Sequence, residues 1–387
     1  MPHGGLRTHL PGLSCLALAS CLAVTTEMLP IGLLPAIGQS FHVGDSVTGL
    51  LVGLYAVMVA ALAVPLTLAT ARFGRKPLLL TTLLCYAMSN LMVAVAPTFA
   101  VLAGGRVVGG VTHALFFSLC IGYVPRLITG PQVGRALALA AGGATAGFVL
   151  GVPLSTSLGT ALGWRVPFAV LAGLSVLTLA LVARVLPRVS NDEQPRSADE
   201  DRSGRTQLAA VVSANALTYL GHFTVYTYVS LLFLTAGVGP TLIGPLLLLC
   251  GACGVAGLVY AAKALDHRPR RTTIITLAIV IAALLALGGG MPALIPVIAA
   301  AALWNGAFGA VPSIFQTCAV RTRAVPPELA GAWVNATANF GIAGGAAIGA
   351  GLLPVIGIGG LPWVSAALVG TGLAVALAAR RGFPARP

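Results

Sequence analysis

From Leu13 to Ile37 the chain runs with a single charged side chain, Glu27, and stretches of this kind recur along its whole length. A segment of about 20 mainly apolar residues is what an α-helix needs to cross the roughly 30 Å hydrocarbon core of a bilayer. In that core every backbone N–H and C=O must be satisfied inside the segment, so such stretches are helices. Reading apolar runs between charges, Gly/Pro pairs and polar turns places six spans near 13–37, 47–70, 78–97, 99–123, 136–160 and 166–186. Six more fall near 207–235, 240–262, 272–290, 292–317, 329–352 and 355–379. The expected fold is an all-α integral membrane protein of twelve transmembrane helices in two pseudo-symmetric six-helix halves.

Only 8% of the residues are charged, against roughly a quarter in soluble domains, and twelve spans leave no room for an appended soluble domain. Residues 1–186 form the expected N-terminal bundle and 207–387 the C-terminal one. Between them, 187–206 (PRVSNDEQPRSADEDRSGRT) carry charges of both signs without an apolar period, the composition of a solvated linker. The seven cysteines all lie in apolar stretches, and Cys250-x-x-Cys253 has no second ligand pair, so they read as packing residues rather than a disulfide framework or metal site.

A net charge of +13 in a soluble protein would suggest nucleic acid; here the placement of charge matters more. Of the 22 lysines and arginines, all but Arg106 and Arg165 fall in the termini, the linker, the last turn of span 6 or the loops after even-numbered spans. The positive-inside rule then puts both termini in the cytoplasm of a multi-pass inner-membrane protein. The basic turn Arg72-Phe-Gly74-Arg75-Lys76 after span 2 lines up, 195 residues on, with His267-Arg-Pro269-Arg270-Arg271 after span 8. Two six-span halves in parallel repeat are a transporter architecture, with the solute site between them near midplane.

Four patterns give this chain its resemblance to the major facilitator superfamily, and within it to the twelve-span drug:proton antiporter branch that includes chloramphenicol-resistance and arabinose-efflux-permease-like exporters. They are Arg72-x-Gly74-Arg75-Lys76 after span 2; Leu102-x-x-x-Arg106-x-x-x-Gly110 in span 4; Gly143-x-x-x-Gly147-x-x-x-Gly151-Val152-Pro153 in span 5; and Thr26-Glu27-Met28 leading to Gly32 and Pro35 in span 1. The resemblance implies proton coupling through Arg106 and a span-5 seam that seals the pathway against proton leak. It also implies a cytoplasmic gate built on Arg72, Gly74, Arg75, Lys76 and the equivalent Asp266 and Arg270. Ala71 stands where the family has an aspartate, so the latch is expected mainly from Asp266 in the second half.

Without the family, the residues say this. Glu27 is the one acid inside a span and Arg106 the one base away from a span's end. A charge at the bilayer centre costs about 2.5–3.5 kcal/mol on the insertion scale, so both face the protein interior. At about 1.5 Å per residue their depths differ by about 3 Å, close enough to pair or to face each other across a wet cavity. A carboxyl set between desolvation and a nearby positive charge can take a proton from one side and release it to the other; a static buried ion pair is the plainer alternative. His113 lies two turns after Arg106 on the same face and reads equally as a relay and as a packed neutral ring. Asn215, His222 and Tyr226 share a face of span 7, Trp304-Asn305 lie in span 10 and Asn335 and Asn339 in span 11. Each alone is more simply an interhelical hydrogen bonder; together they would line a cavity for a lipophilic or weakly polar solute.

The function expected from all this is export of a drug, antibiotic or sugar-like metabolite by proton antiport, with import of a sugar or other metabolite by a proton symporter or facilitator as the alternative. No H-E-x-x-H, G-x-S-x-G or P-loop pattern is present to suggest an enzyme. The expected partners are the small molecule, protons and the lipid bilayer, with no nucleic acid, no cofactor, no metal, and a chain working as a monomer.

Overall fold

The computed structural model describes residues 6–70, 72–128, 139, 142–189, 202–265, 268–325 and 327–383. Among them the chain is helical throughout. Six helices make the first half: α1 (Leu6–Phe41), α2 (Asp45–Ala69), α3 (Arg75–Ala94), α4 (Phe99–Leu127), α5 (Gly142–Leu162) and α6 (Arg165–Val185). The second half holds α7 (Arg202–Tyr226), the short α8 (Val229–Thr235), α9 (Ile243–Ala264), α10 (Pro269–Gly290), α11 (Leu294–Phe308), α12 (Val311–Arg321) and α13 (Pro327–Ala378). Among the described residues eleven helices are long and apolar enough to cross a membrane. The last of these, within α13, is twice the needed length. It breaks at Gly357, where φ 67° and ψ 175° are open to a residue without Cβ, and so supplies two spans and brings the total to twelve.

Three spans depart from unbroken helix. Span 7 is split at Thr227–Tyr228, where the ladder tightens to Tyr228 N–H donating to the Val225 carbonyl at 2.9 Å. Span 10 is split at Gly309–Ala310, just before Pro312 in the first turn of α12. In α5 the turn Gly147–Gly151 widens to π geometry. Pro153 has no N–H for the Val149 carbonyl four residues earlier, and the wider turn absorbs that mismatch. Residues 190–201 of the polar linker lie outside the described residues, and α7 already begins at Arg202.

The chain gathers into two compact units, one of Met1–Leu29 with Ala61–Gln194 and one of Pro30–Ala60 with Pro195–Pro387. In the first, Leu13, Leu16, Ala19 and Ala23 of α1 pack with Leu79, Leu83 and Tyr86 of α3, Phe116 and Tyr123 of α4 and Val182 of α6. In the second, α7 runs between the two spans of α13. Gly341, Gly345 and Gly349 approach the carbonyls of Ala216, Leu220 and Thr224, while Gly221 lies against Ser365 and Val369. Small residues four apart let helices come this close, which is what holds helices together where lipid tails remove the hydrophobic driving force.

Candidate functional site

The span-5 glycines make a corresponding seam in the first unit. Gly143 and Gly147 lie against the carbonyls of Ala17 and Cys21, and Gly151 against the Thr25 hydroxyl; a Cβ at any of the three would fall well inside 3.0 Å. Thr25 Oγ1 donates to Cys21 O at 2.7 Å and reaches Gly147 O at 3.4 Å. Pro153, buried in the same helix, follows the widened turn. The partner of the seam is thus the stretch of α1 that ends at Thr25, two residues before Glu27.

Glu27, Arg106 and His113 are all buried, at 6%, 1% and 4% exposure. Arg106 meets α1 through its backbone: its guanidinium donates to the Thr26 carbonyl at 2.6 Å and to the Glu27 carbonyl at 2.7 Å. The reason lies in the sequence. In a regular helix Thr26 O accepts from the N–H of residue 30, and residue 30 is proline, which has no N–H and whose ring crowds that carbonyl. A buried carbonyl without a donor costs about 1–3 kcal/mol, and the guanidinium fork supplies the missing bond. The Glu27 carboxylate meets His113, with Oε2 and Nε2 3.6 Å apart. The His113 ring sits 4.8 Å from Phe117 and edge-on to Tyr86 at 6.4 Å. Asn90 of α3, which the sequence reading did not single out, donates to Thr26 Oγ1 and to the Tyr86 carbonyl, both at 3.0 Å. A lone amide in an otherwise apolar span was the signal that could have found it.

In the second unit, His222, Tyr226 and Trp304 come together with Phe308. The imidazole is stacked on Phe308 (3.4 Å between centroids, 12°) and on Tyr226 (4.9 Å, 25°), with Trp304 at 4.7 Å. His222 and Trp304 are fully buried, and among the described residues neither ring nitrogen of His222 nor Nε1 of Trp304 has a hydrogen-bond partner. Three polar atoms with unspent bonding capacity in one aromatic cluster are unusual, because such atoms are normally paired when buried. Asn305, next to Trp304, donates to the Ala301 carbonyl of its own helix at 2.9 Å. Asn215 instead ties α7 to α13, donating to Val334 O and Thr337 Oγ1 at 2.9 Å. Asn339 donates to the carbonyl and side-chain oxygens of Asn335, one turn earlier, at 3.1 and 3.3 Å.

Of the gate residues, Lys76 donates to the Ala183 carbonyl at 2.8 Å and to that of Leu186, closing the C-terminal end of α6. Arg270 donates to the Leu377 carbonyl at 2.9 Å and closes α13 in the same way. Cations at helix C-termini satisfy orphan carbonyls and the negative end of the dipole. Arg72 lies over the Phe73 ring at 5.1 Å, Gly74 is exposed and Arg75 half-buried. Asp266 and Ala71 lie outside the described residues.

These contacts repeat between the units. Lys76–Ala183 becomes Arg270–Leu377, each end moved by 194 residues, and Cys21–Gly147 and Thr25–Gly151 become Ala216–Gly341 and Leu220–Gly345. The same displacement, 195 on this helix pair, carries Glu27 onto His222 and His113 onto Phe308.

Comparison with known proteins agrees with this architecture. A chloramphenicol efflux pump of Mycobacterium tuberculosis is 33% identical over 378 residues, covering 93% of this chain and 90% of that protein. A probable sugar efflux transporter of Mannheimia succiniciproducens is 29% identical over 355 residues, covering 91% of this chain and 89% of the relative. Among solved structures, a bacterial homolog of the human lysosomal transporter Spinster, inward-facing and occupied, shares the fold with a TM-score of 0.80 over 98% of each chain at 14% identity. The Major Facilitator Superfamily model matches residues 16–332, and the chain belongs to that family of membrane transporters.

Proposed function

We propose that this transporter exports a small molecule across the cytoplasmic membrane in exchange for protons, with both termini on the cytoplasmic side. The observation that carries the coupling is the buried Glu27 carboxylate facing His113 at 3.6 Å. A buried carboxylate is costly in a bilayer and an imidazole is the side chain best suited to hand a proton on near neutral pH. Arg106 holds the backbone on which Glu27 is mounted, so the carboxylate stays free to change partner as the cavity opens to one side or the other. Export, rather than import, is supported by the two relatives, which are named for efflux of chloramphenicol and of sugars. The His222, Tyr226 and Trp304 cluster is the part of the second unit proposed to meet the solute, its unpartnered nitrogens offering hydrogen bonds that the protein itself leaves unmade. The gradient alone drives the cycle, with no cofactor, and a monomer suffices.

The test is solute flux in proteoliposomes, with chloramphenicol and a sugar as probes, in the presence and absence of an imposed pH gradient. Antiport makes solute move against the proton flow; movement with it would favour the symport alternative, and no response to the gradient would remove proton coupling. In Glu27→Gln, normal gradient-driven flux would sink the assignment of Glu27.

A further inference from the structure

The chain does not end with its last apolar turn. After Ala378 it turns back: Gly382 N–H and Phe383 N–H bond to the Ala379 carbonyl at 3.1 and 3.2 Å, and a Cβ on Gly382 would lie 3.1 Å from the Gln207 carbonyl of α7. Phe383 is fully buried, edge-on to Phe315 of α12 at 6.2 Å. This buried ring pins the preceding turn in place, and with it Arg380 and Arg381. Together with Thr206 and Gln207 the two arginines surround a hollow of about 470 Å³ at the end of α7 and α13. Arg380 and Arg381 are exposed side chains of like charge, Arg205 precedes Thr206 directly, and Arg270 bonds to the Leu377 carbonyl one residue before the hollow begins. Among the described residues no carboxylate lines it. On its flank Leu377 is 43% exposed, an apolar wall at the last turn of the span.

We propose that this hollow binds the phosphate headgroup of an anionic phospholipid, with Arg380 and Arg381 on the phosphate and an acyl chain along Leu377. Guanidinium forks match phosphate oxygens with paired hydrogen bonds, and a concentration of like charge at headgroup depth needs a counter-anion. Basic pockets between helix ends are where the anionic lipids of the cytoplasmic leaflet dock. Naming that leaflet rests on the proposed orientation; the binding itself does not. A free phosphate offers the same chemistry without the chain. The acidic run Asp199-Glu200-Asp201, which precedes α7, is the rival occupant from within the protein.

The experiment uses the full chain in detergent, titrated with phosphatidylglycerol, phosphatidylcholine or inorganic phosphate, reading the melting temperature and the lipid adducts retained in native mass spectrometry. Phosphatidylglycerol should raise the melting temperature saturably and phosphatidylcholine should not. Arg380→Gln/Arg381→Gln should weaken the phosphatidylglycerol effect about 30-fold, the equivalent of about 1 kcal/mol for each arginine. Arg184→Gln, which removes an exposed charge at the end of α6, should leave it unchanged. An equal effect in the double variant, or an equal loss in Arg184→Gln, overturns the site. A full effect from inorganic phosphate overturns the lipid, and an effect seen only after neutralising Asp199, Glu200 and Asp201 gives the hollow to the linker. If the double variant does not fold, each single variant should lose part of the effect, and no loss in either overturns the proposal.

Discussion

Arg106 gives the sharpest handle on how span 1 is held. Replacing it by methionine keeps the length and removes every donor, leaving the Thr26 and Glu27 carbonyls without their guanidinium. Hydrogen bonds from a charged group contribute about 1.5–3 kcal/mol each, but the buried guanidinium itself carries a desolvation cost of several kcal/mol. The two terms are of similar size, so the stability of Arg106→Met alone decides nothing. A double-mutant cycle with Pro30→Ala does. Alanine at 30 returns the N–H that a regular helix gives to the Thr26 carbonyl, so in that background Arg106→Met no longer strands that carbonyl, while the Glu27 carbonyl has the N–H of Ile31 in either background. The arginine should therefore matter less by the cost of one orphaned buried carbonyl, about 1–3 kcal/mol. Pro35→Ala, whose partner carbonyl is Ile31 in the same helix, is the control and should be additive with Arg106→Met. Unfolding of the four proteins of each cycle in mixed micelles measures both couplings. Additivity of Arg106→Met with Pro30→Ala to within about 0.5 kcal/mol would refute the idea that the arginine stands in for the proline's missing donor.

Four other outcomes follow, three from the same geometry and the last from the sequence. Glu27→Gln should leave a folded protein that has lost flux driven by a pH gradient, read in proteoliposomes. Gly143→Ala sets a methyl against the Ala17 carbonyl and should lower stability by about 1–3 kcal/mol, whereas Gly142→Ala, with nothing within 4 Å, should be neutral or stabilising by up to about 1 kcal/mol; thermal melts of the pair separate packing from helix propensity. His222→Phe removes two unpartnered buried nitrogens from an aromatic stack and should raise stability by about 1–3 kcal/mol while impairing transport, a combination that a purely structural histidine would not give. If the latch proposed from the sequence is carried by Asp266, Asp266→Asn should raise cysteine labelling from the cytoplasmic side and lower transport, while Ala71→Asn should do little; equal labelling in wild type and Asp266→Asn would refute it.

Much of the fold is legible because hydrocarbon leaves a chain few choices: a run of about 20 uncharged residues has to be a helix, and Glu27 and Arg106 are conspicuous because they break that rule. Their similar depth also follows from counting residues. What counting does not reveal is the atom that answers Arg106. Side-chain patterns suggest a carboxylate, and the donor goes to carbonyls, a preference written only in the proline four residues after Thr26. The breaks in spans 7 and 10 divide in the same way. Gly309 and Pro312 mark the second in the sequence, but Thr227–Tyr228 has neither glycine nor proline, and Tyr228 is held by its hydroxyl on the Ala346 carbonyl at 3.0 Å, a tertiary contact. Phe308 escapes notice as a site residue because a phenylalanine in an apolar span carries no signal until its ring is found on His222.

The contact repeat says why those unmarked positions matter. Where the two units keep a function in common, they keep it in kind: a cation on the carbonyls that end the sixth span of each half, and small residues where the first and fifth spans touch. At the level of Glu27 they diverge completely. The acid and its histidine in the first unit are answered in the second by a histidine and a phenylalanine, and Arg106 by Ala301. Packing contacts have one good solution in lipid, so duplicated halves hold on to them. On the proposed function the first unit holds a proton site and the second a solute site, which make opposite demands, the one for an ionisable group whose surroundings can change, the other for apolar surface with a few unmade hydrogen bonds. A chain assembled from two copies of one bundle can meet both by altering a handful of side chains at a single level in each copy, leaving the helix seams as they were.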